Sequence, residues 1–196
     1  MQRLIPRLLR WIRYSLWRNR WRTLRRVWLQ GQGMQIGPGS LLGNLSVSWP
    51  HSVRLGRACI VEDNVELHYN GPHTPEIRIN IGDNVYISSG VQFNIEEQIC
   101  VGRDVMIGSG TRLIDHNHGF SRRDLPIRAQ PSSSAPITIG DDVWLGANVL
   151  ILKGVQVGCG SIVGAGSVVL RSIPPGQIWA GNPARFLKPR PTPPSL

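Results

Sequence analysis

The amino-acid sequence predicts an all-β solenoid built from six-residue rungs, and three observations carry that prediction. From Ile139 the chain divides into consecutive sixes: IGDDVW, LGANVL, ILKGVQ, VGCGSI, VGAGSV and VLRSIP. The first position is always aliphatic (Ile139, Leu145, Ile151, Val157, Val163, Val169), and the fifth is β-branched or serine (Val143, Val149, Val155, Ser161, Ser167, Ile173). Earlier runs keep the same period, with VEDNVE from 61, IGDNVY from 81, ISSGVQ from 87, VGRDVM from 101 and IGSGTR from 107. A strict period of six does not fit an amphipathic helix, which repeats at about 3.6. It fits one short strand and one turn per six, stacked coil upon coil. Positions one and five then face inward, and three sixes close one triangular coil. Gly and Asp/Asn supply the turns, in keeping with 22 glycines and 15 prolines that follow no collagen period.

The first element is residues 1–33, MQRLIPRLLRWIRYSLWRNRWRTLRRVWLQ and its exit, which read as a basic amphipathic helix. Leu4, Ile5, Leu8, Leu9, Trp11 and Ile12 share one side of a helical wheel, and Arg3, Arg7, Arg10 and Arg13 take the other. Pro6 sets the start close to itself, Trp17, Trp21, Leu24 and Trp28 continue the apolar stripe, and Gly31 and Gly33 end it. Residues 1–30 hold nine arginines and no acidic residue, so the formal net charge of +10 belongs to this segment. Such a helix suits the surface of an anionic membrane. Packing on its own body or on a neighbouring subunit, or service as a transit peptide, are the alternatives. The rest of the chain has 13 basic and 12 acidic residues, a balance that argues against a nucleic-acid partner. No apolar run is long enough to span a bilayer. Cys59, Cys100 and Cys159 form no CxxC pair and read as small buried side chains in a reducing, cytoplasmic setting, peripheral to the inner membrane face through residues 1–30.

The second element is the repeat domain, residues 34–188, with echoes of the period at IGPGSL (36–41) and LGRACI (55–60). It is interrupted once. After LIDHNH (113–118) the period is lost until PITIG (136–140), and the intervening GFSRRDLPIRAQPSSSA has the polar, proline-rich make-up of an extruded loop, spanning about 115–135. His116 and His118 stand at its exit, two residues apart, and so share a face of an extended backbone. A neutral imidazole there can act as a general base near neutral pH. Asp115 or a backbone carbonyl can hold the other ring nitrogen. His51, His68 and His73 lie in weakly patterned stretches and read as surface or loop residues. Residues 189–196 form a proline-rich, extended tail.

These sixes resemble the hexapeptide-repeat acyltransferases over about residues 36–188, and QFNIEEQICVG, LIDHNH and PITIGDDVWLGANVLILKGV resemble the sugar and polysaccharide O-acetyltransferase branch, that of the galactoside and maltose acetyltransferases. The resemblance implies a left-handed parallel β-helix, a homotrimer with active sites between neighbouring chains, and acetyl-CoA as co-substrate with no metal. It implies direct acetyl transfer to a hydroxyl of a sugar or surface glycan, with His116 in the place of the general base. His118 is the geometrically allowed second candidate. By the same resemblance Asn94 binds the acceptor, Ala147 offers a backbone N–H to the thioester carbonyl, and Trp144 lines the cleft. Ala165 bonds the pantetheine arm through its backbone, and Arg185 and Lys188 meet the coenzyme phosphates. Leu170 departs from the pattern, standing where a coenzyme-contacting threonine is common.

Three other readings share the fold. An amine or serine acceptor is one, although the long helical N-terminal domain usual in serine acetyltransferases is missing. A zinc-dependent, carbonic-anhydrase-like enzyme needs three ligands, which His116 and His118 with His68 or His73 could count out at a spacing unlike that family's. A non-enzymatic scaffold is the third.

Overall fold

The computed structural model describes residues 22–191. The arginine pattern of residues 3–13, and the helix start at Pro6, lie outside the described residues. What is described opens with a helix, α1 (22–31), which ends where Gly33 adopts a φ of 93°. A side chain at that position would meet His51, since a Cβ there would lie 2.9 Å from His51 Cβ. Leu29 and the following Met34 are buried and plug the adjoining end of the solenoid.

Behind the helix the chain winds into a three-faced prism. The first face has six strands, from Gln35–Ile36 to Gln156–Val157. The second has eight, from Leu41–Leu42 to Arg185–Pro189, and the third six, from Leu45–Val47 to Val168–Val169. Every rung pairs in parallel with the rungs above and below it, except at the C-terminal edge of the second face, where Gln177–Ala180 turns back antiparallel onto Arg185–Pro189. That terminal strand runs from Arg185 to Pro189.

The six-residue rule predicts the inward set. Ile139, Val143, Leu145, Val149, Ile151 and Val155 are buried, and so are Val157, Ser161, Val163, Ser167, Val169 and Ile173. The two serines at inward positions do not go unpaired: Ser161 Oγ donates to Pro174 O (2.9 Å) and Ser167 Oγ to Gly164 O (2.6 Å). In all but the last of the sixes from Ile139, the fourth position carries a left-handed turn residue. Gly154, Gly160 and Gly166 have positive φ there, and Asn64, Asn84, Asp104, Asp142 and Asn148 take the same left-handed conformation that short polar side chains tolerate. The cysteines divide by position: Cys59 is buried inside, with its thiol pushed up by that burial, Cys100 is half-buried, and Cys159 is exposed at a turn. The expectation that all three pack as small apolar side chains therefore fails for Cys159, which occupies the outward third position of its six.

The interruption leaves the prism at the end of the third face. His116–Asn117 pairs antiparallel with Ser133–Ser134, so the two ends of the loop are zipped together before the coil resumes at Ile137–Ile139. The loop between them is organised around Gln130, which is buried. Its Nε2 donates to Arg122 O (2.7 Å) and Leu125 O (3.1 Å), and its Oε1 accepts from Arg122 N–H (2.9 Å). Lys153 Nζ, from a neighbouring coil, donates to Ser133 Oγ at 2.6 Å.

Candidate active site

Coil-on-coil register sets the arrangement at the loop exit. Ile114 pairs with Asn94, which pairs with His68, along three adjacent third-face strands. One residue on, Asp115 turns inward and is fully buried at the corner. Its carboxylate caps the turn of the coil below. Oδ1 accepts the N–H of Glu96 (2.7 Å), and Oδ2 accepts those of Glu97 (2.8 Å) and Gln98 (2.9 Å). Three charge-assisted bonds fix this carboxylate in place.

His116 then projects outward. Its Nδ1 lies 3.3 Å from Asp115 Oδ1, and its side chain is only 11% exposed. Between the two partners open in the sequence, the structure supplies Asp115. A carboxylate acceptor at Nδ1 favours the tautomer with the proton on Nδ1, leaving the Nε2 lone pair outward. Nε2 faces Glu96 Oε1 at 3.9 Å, beyond hydrogen-bond length, and the other Glu96 oxygen accepts Ser132 Oγ–H (2.5 Å) from the loop. Asn94 joins the same cluster through the amide of Asn70, which donates to Asn94 Oδ1. His118 is exposed, one step further out along the loop.

Sequence reasoning missed Glu96, Asn70 and Ser132. Glu96 stands in the quoted QFNIEEQ motif, yet its approach to His116 depends on which coil lies beneath which. The signal that could have found it is the 20-residue offset between IGDNVY from 81 and VGRDVM from 101, two more than three sixes, which places residue 96 beside residue 116 on the adjoining coil.

The remaining predicted residues lie elsewhere on the prism. Ala147 and Ala165 form a column of small residues at the corner between the second and third faces. A Cβ added to Gly108 would lie 2.6 Å from Ala147 N, and one added to Gly146 would lie 2.6 Å from Ala165 N. The column is therefore flat and tightly stacked, and among the described residues the N–H groups of Ala147 and Ala165 have no acceptor. Trp144, 52% exposed, lies on the second face between Met106 and Ile162. Arg185 and Lys188 are exposed on the terminal strand, and Leu170 is exposed beyond the third face. Within one chain, Ala147 begins a third-face rung and His116 follows the end of the adjacent one. The loop-exit cluster and the alanine column are thus separated by the width of that face.

The other histidines are not gathered to this cluster. His68 Nε2 is 2.9 Å from Ser46 Oγ, and His73 stacks on His51 with centroids 4.6 Å apart beside Trp49. Among the described residues no three His, Cys, Asp or Glu side chains gather as a metal site, and no helix is long and apolar enough to cross a membrane.

Comparison with known proteins converges on one group. Residues 136–171 match a family model described as the hexapeptide repeat of succinyl-transferase. The chain is 31% identical over 154 residues to the galactoside O-acetyltransferase of Escherichia coli K12, covering 76% of this chain and 75% of that one. It is 38% identical over 117 residues to WbbJ of the same organism, which is provisionally named a lipopolysaccharide biosynthesis O-acetyl transferase. That match covers 56% of this chain, and the chain spans about 60% of WbbJ's length. Among solved structures, a hexapeptide-repeat-containing acetyltransferase of Vibrio cholerae, complexed with acetyl coenzyme A, superposes with a TM-score of 0.59 at 26% identity, over 87% of this chain and 78% of that one.

Proposed function

Because the chain belongs to the hexapeptide-repeat acyltransferases, left-handed parallel β-helices, we propose that it transfers an acetyl group from acetyl-CoA to a hydroxyl of a sugar or surface glycan. The observation that carries the reading is His116, tucked in at the loop exit with Nδ1 toward a carboxylate that three backbone N–H groups immobilise. Attack by the acceptor oxygen on the thioester carbonyl carbon passes the hydroxyl proton to His116 Nε2. The negative charge that develops on the carbonyl oxygen is met by the free N–H of Ala147. Collapse breaks the C–S bond, and the proton returns from Nε2 to the departing thiolate, giving the acetyl ester and the free thiol. No covalent intermediate on the protein is required.

In this reading Asn94 and Asn70 hold acceptor hydroxyls beside His116, and Glu96 accepts from a neighbouring one. Ala165 offers its N–H to the pantetheine arm, and Arg185 and Lys188 offer charge to the phosphates. Trp144 belongs to the second face. There Tyr86, Met106, Trp144, Ile162 and Ile178 stand in register rung by rung, with Met106 and Trp144 about half exposed. A homotrimer with parallel prism axes covers such a ladder and lays the alanine column of one chain against the loop-exit cluster of the next. Light scattering coupled to size exclusion tests it, with a monomer that retains full activity as the overturning result.

A second reading assigns the base to His118, because its exposed ring is open to an acceptor whereas His116 is largely covered. One experiment decides. The protein is incubated with acetyl-CoA and a panel of nucleotide sugars and lipid-linked glycans, and thiol release and acceptor mass gain are followed. His116→Ala is expected to lower kcat by about 10²–10⁴ with melting unchanged. Loss of that size in His118→Ala alone moves the role to His118, and loss in neither overturns the mechanism.

A further inference from the structure

In α1 two arginines turn toward the first coil. Arg25 Nη1 donates to Gly43 O (2.7 Å), and Arg26 reaches Gly37 O (3.2 Å) along with the carbonyls of Ile36 and Ser40. Both side chains are thereby fastened to the first coil. The face left outward is apolar: Leu24, Val27 and Trp28, at i, i+3 and i+4, are each about 60% exposed. On the second face Leu41 and Ile60, 49% and 42% exposed, extend the apolar character onto the first rungs. Between helix and coil runs a groove of about 590 Å³ with Arg22 and Arg26 on one side and Leu41 and Leu42 on the other. Arg22 Nε is buried there with no hydrogen-bond partner among the described residues.

We propose that this end of the prism is a docking surface for an anionic phospholipid bilayer. The Leu24–Val27–Trp28 strip enters the headgroup–acyl boundary, and the groove receives a lipid phosphate at Arg22 with its acyl chain along the leucines. Charge complementarity selects this occupant over a second copy of the chain. Residues 1–30 carry nine arginines and no acid, so a copy of the same segment repels it and an acidic surface attracts it. A tryptophan beside leucine, with guanidinium groups near the phosphate level, is the composition of an interfacial helix. In the trimer of the proposed function three such strips share one end of the assembly. That multiplication, but not the docking itself, rests on that reading.

The test uses the full chain and extruded vesicles of phosphatidylcholine, alone or with an equal part of phosphatidylglycerol. Wild-type protein is expected to co-sediment with the acidic vesicles at least tenfold more strongly than with the neutral ones. Leu24→Glu/Trp28→Glu is expected to lower that partition at least tenfold, while oligomeric state and thiol release with a soluble acceptor stay as in the wild type. Val27→Lys separates insertion from charge alone: insertion predicts weaker binding, whereas a purely electrostatic attachment predicts stronger binding and overturns the proposal. Equal partition of the double variant overturns it as well. So does a double variant that loses its oligomeric state, which would make the strip an interface between copies. Activity on the soluble acceptor reports on the proposed function separately.

Discussion

The two ends of the third face are made of the same six-residue rungs and present opposite chemistries. At its start, where the second face turns into it, Gly108, Gly146 and Gly164 with Ala147 and Ala165 line the corner with backbone and methyl groups, and the N–H groups of Ala147 and Ala165 have no acceptor among the described residues. At its end, Asn70, Asn94, Glu96, Asp115 and His116 crowd the corner with polar side chains, and a loop is pulled out beside them. A repeat conserves its inward positions because they stack, and it leaves the corners free to differ. One end can therefore accept a flat chain through backbone donors, and the other can grip a polyhydroxyl compound through side chains.

Asp115 is where breaking that contrast costs most. It is fully buried and satisfies three N–H groups as well as the ring of His116. Asp115→Ala strands those donors, and a loss of about 3–5 kcal/mol is expected in chemical denaturation. Asp115→Asn keeps the shape but cannot accept from all partners. It is expected to lower kcat by about tenfold or more at saturating acceptor while melting falls less than in the alanine variant. A kcat equal to wild type in a folded Asp115→Asn protein would remove the ring-orienting role.

The opposite corner is tested by filling it. Ala165→Leu adds bulk where the structure is bare, and it is expected to raise the KM for acetyl-CoA by about 10- to 100-fold with stability within about 1 kcal/mol. The control is Arg103→Ala at the corner between the first and second faces, where Arg103 pairs with Asp141 at 3.1 Å on the open surface. Exposed pairs of this kind contribute about 0–1 kcal/mol, so that variant should leave both kinetic constants unchanged. Equal effects from the two substitutions would mean that the bare corner is no binding surface.

These contrasts mark what could be read from the sequence. Ile139, Val143 and their successors were legible because an inward position repeats every six residues, and the loop was legible because the period stops at LIDHNH and restarts at PITIG. His116 and Asn94 came by family resemblance. Glu96 and Asn70 did not, because their nearness to His116 and Asn94 depends on coil register, which the hexad pattern alone leaves open. The outward Leu24–Val27–Trp28 strip of α1 was legible as apolar but not as outward, since only the carbonyls of the first coil decide that Arg25 and Arg26 turn in.

Lower on the bare corner, Glu62 closes what Ala147 and Ala165 leave open. Its carboxylate accepts Tyr86 Oη–H (2.6 Å), Ser88 Oγ–H (3.0 Å) and Ser89 N–H (2.9 Å). The Tyr86 hydroxyl, foremost among these, holds its pKa below the usual 4.5, and the same bond raises that of Tyr86. A carboxylate depressed on folding adds stability above its unfolded value and loses it as pH falls through its folded one. Glu62→Gln is expected to cost about 1 kcal/mol at neutral pH. It should also flatten the stability loss of the wild type below about pH 4.5. Parallel acid limbs for the two proteins would show that Glu62 contributes nothing through its charge.

The smallest effect sharpens the comparison from a corner with no assigned role. Ala58 takes the left-handed turn position of its six with a φ of 52°, where the other described turns of this kind use Gly, Asn or Asp. A Cβ in that conformation costs about 1–2 kcal/mol, and glycine returns part of the gain through the entropy of the unfolded chain. Ala58→Gly is therefore expected to stabilise the protein by about 0.5 kcal/mol and to leave kinetics untouched. Ala58→Asn should do at least as well, because its side chain tolerates the same φ without the flexibility of glycine. If both variants melt lower than wild type, then packing of the Ala58 methyl against the adjoining coils outweighs its backbone strain, and this corner contributes side-chain contacts that the hexad rule does not count.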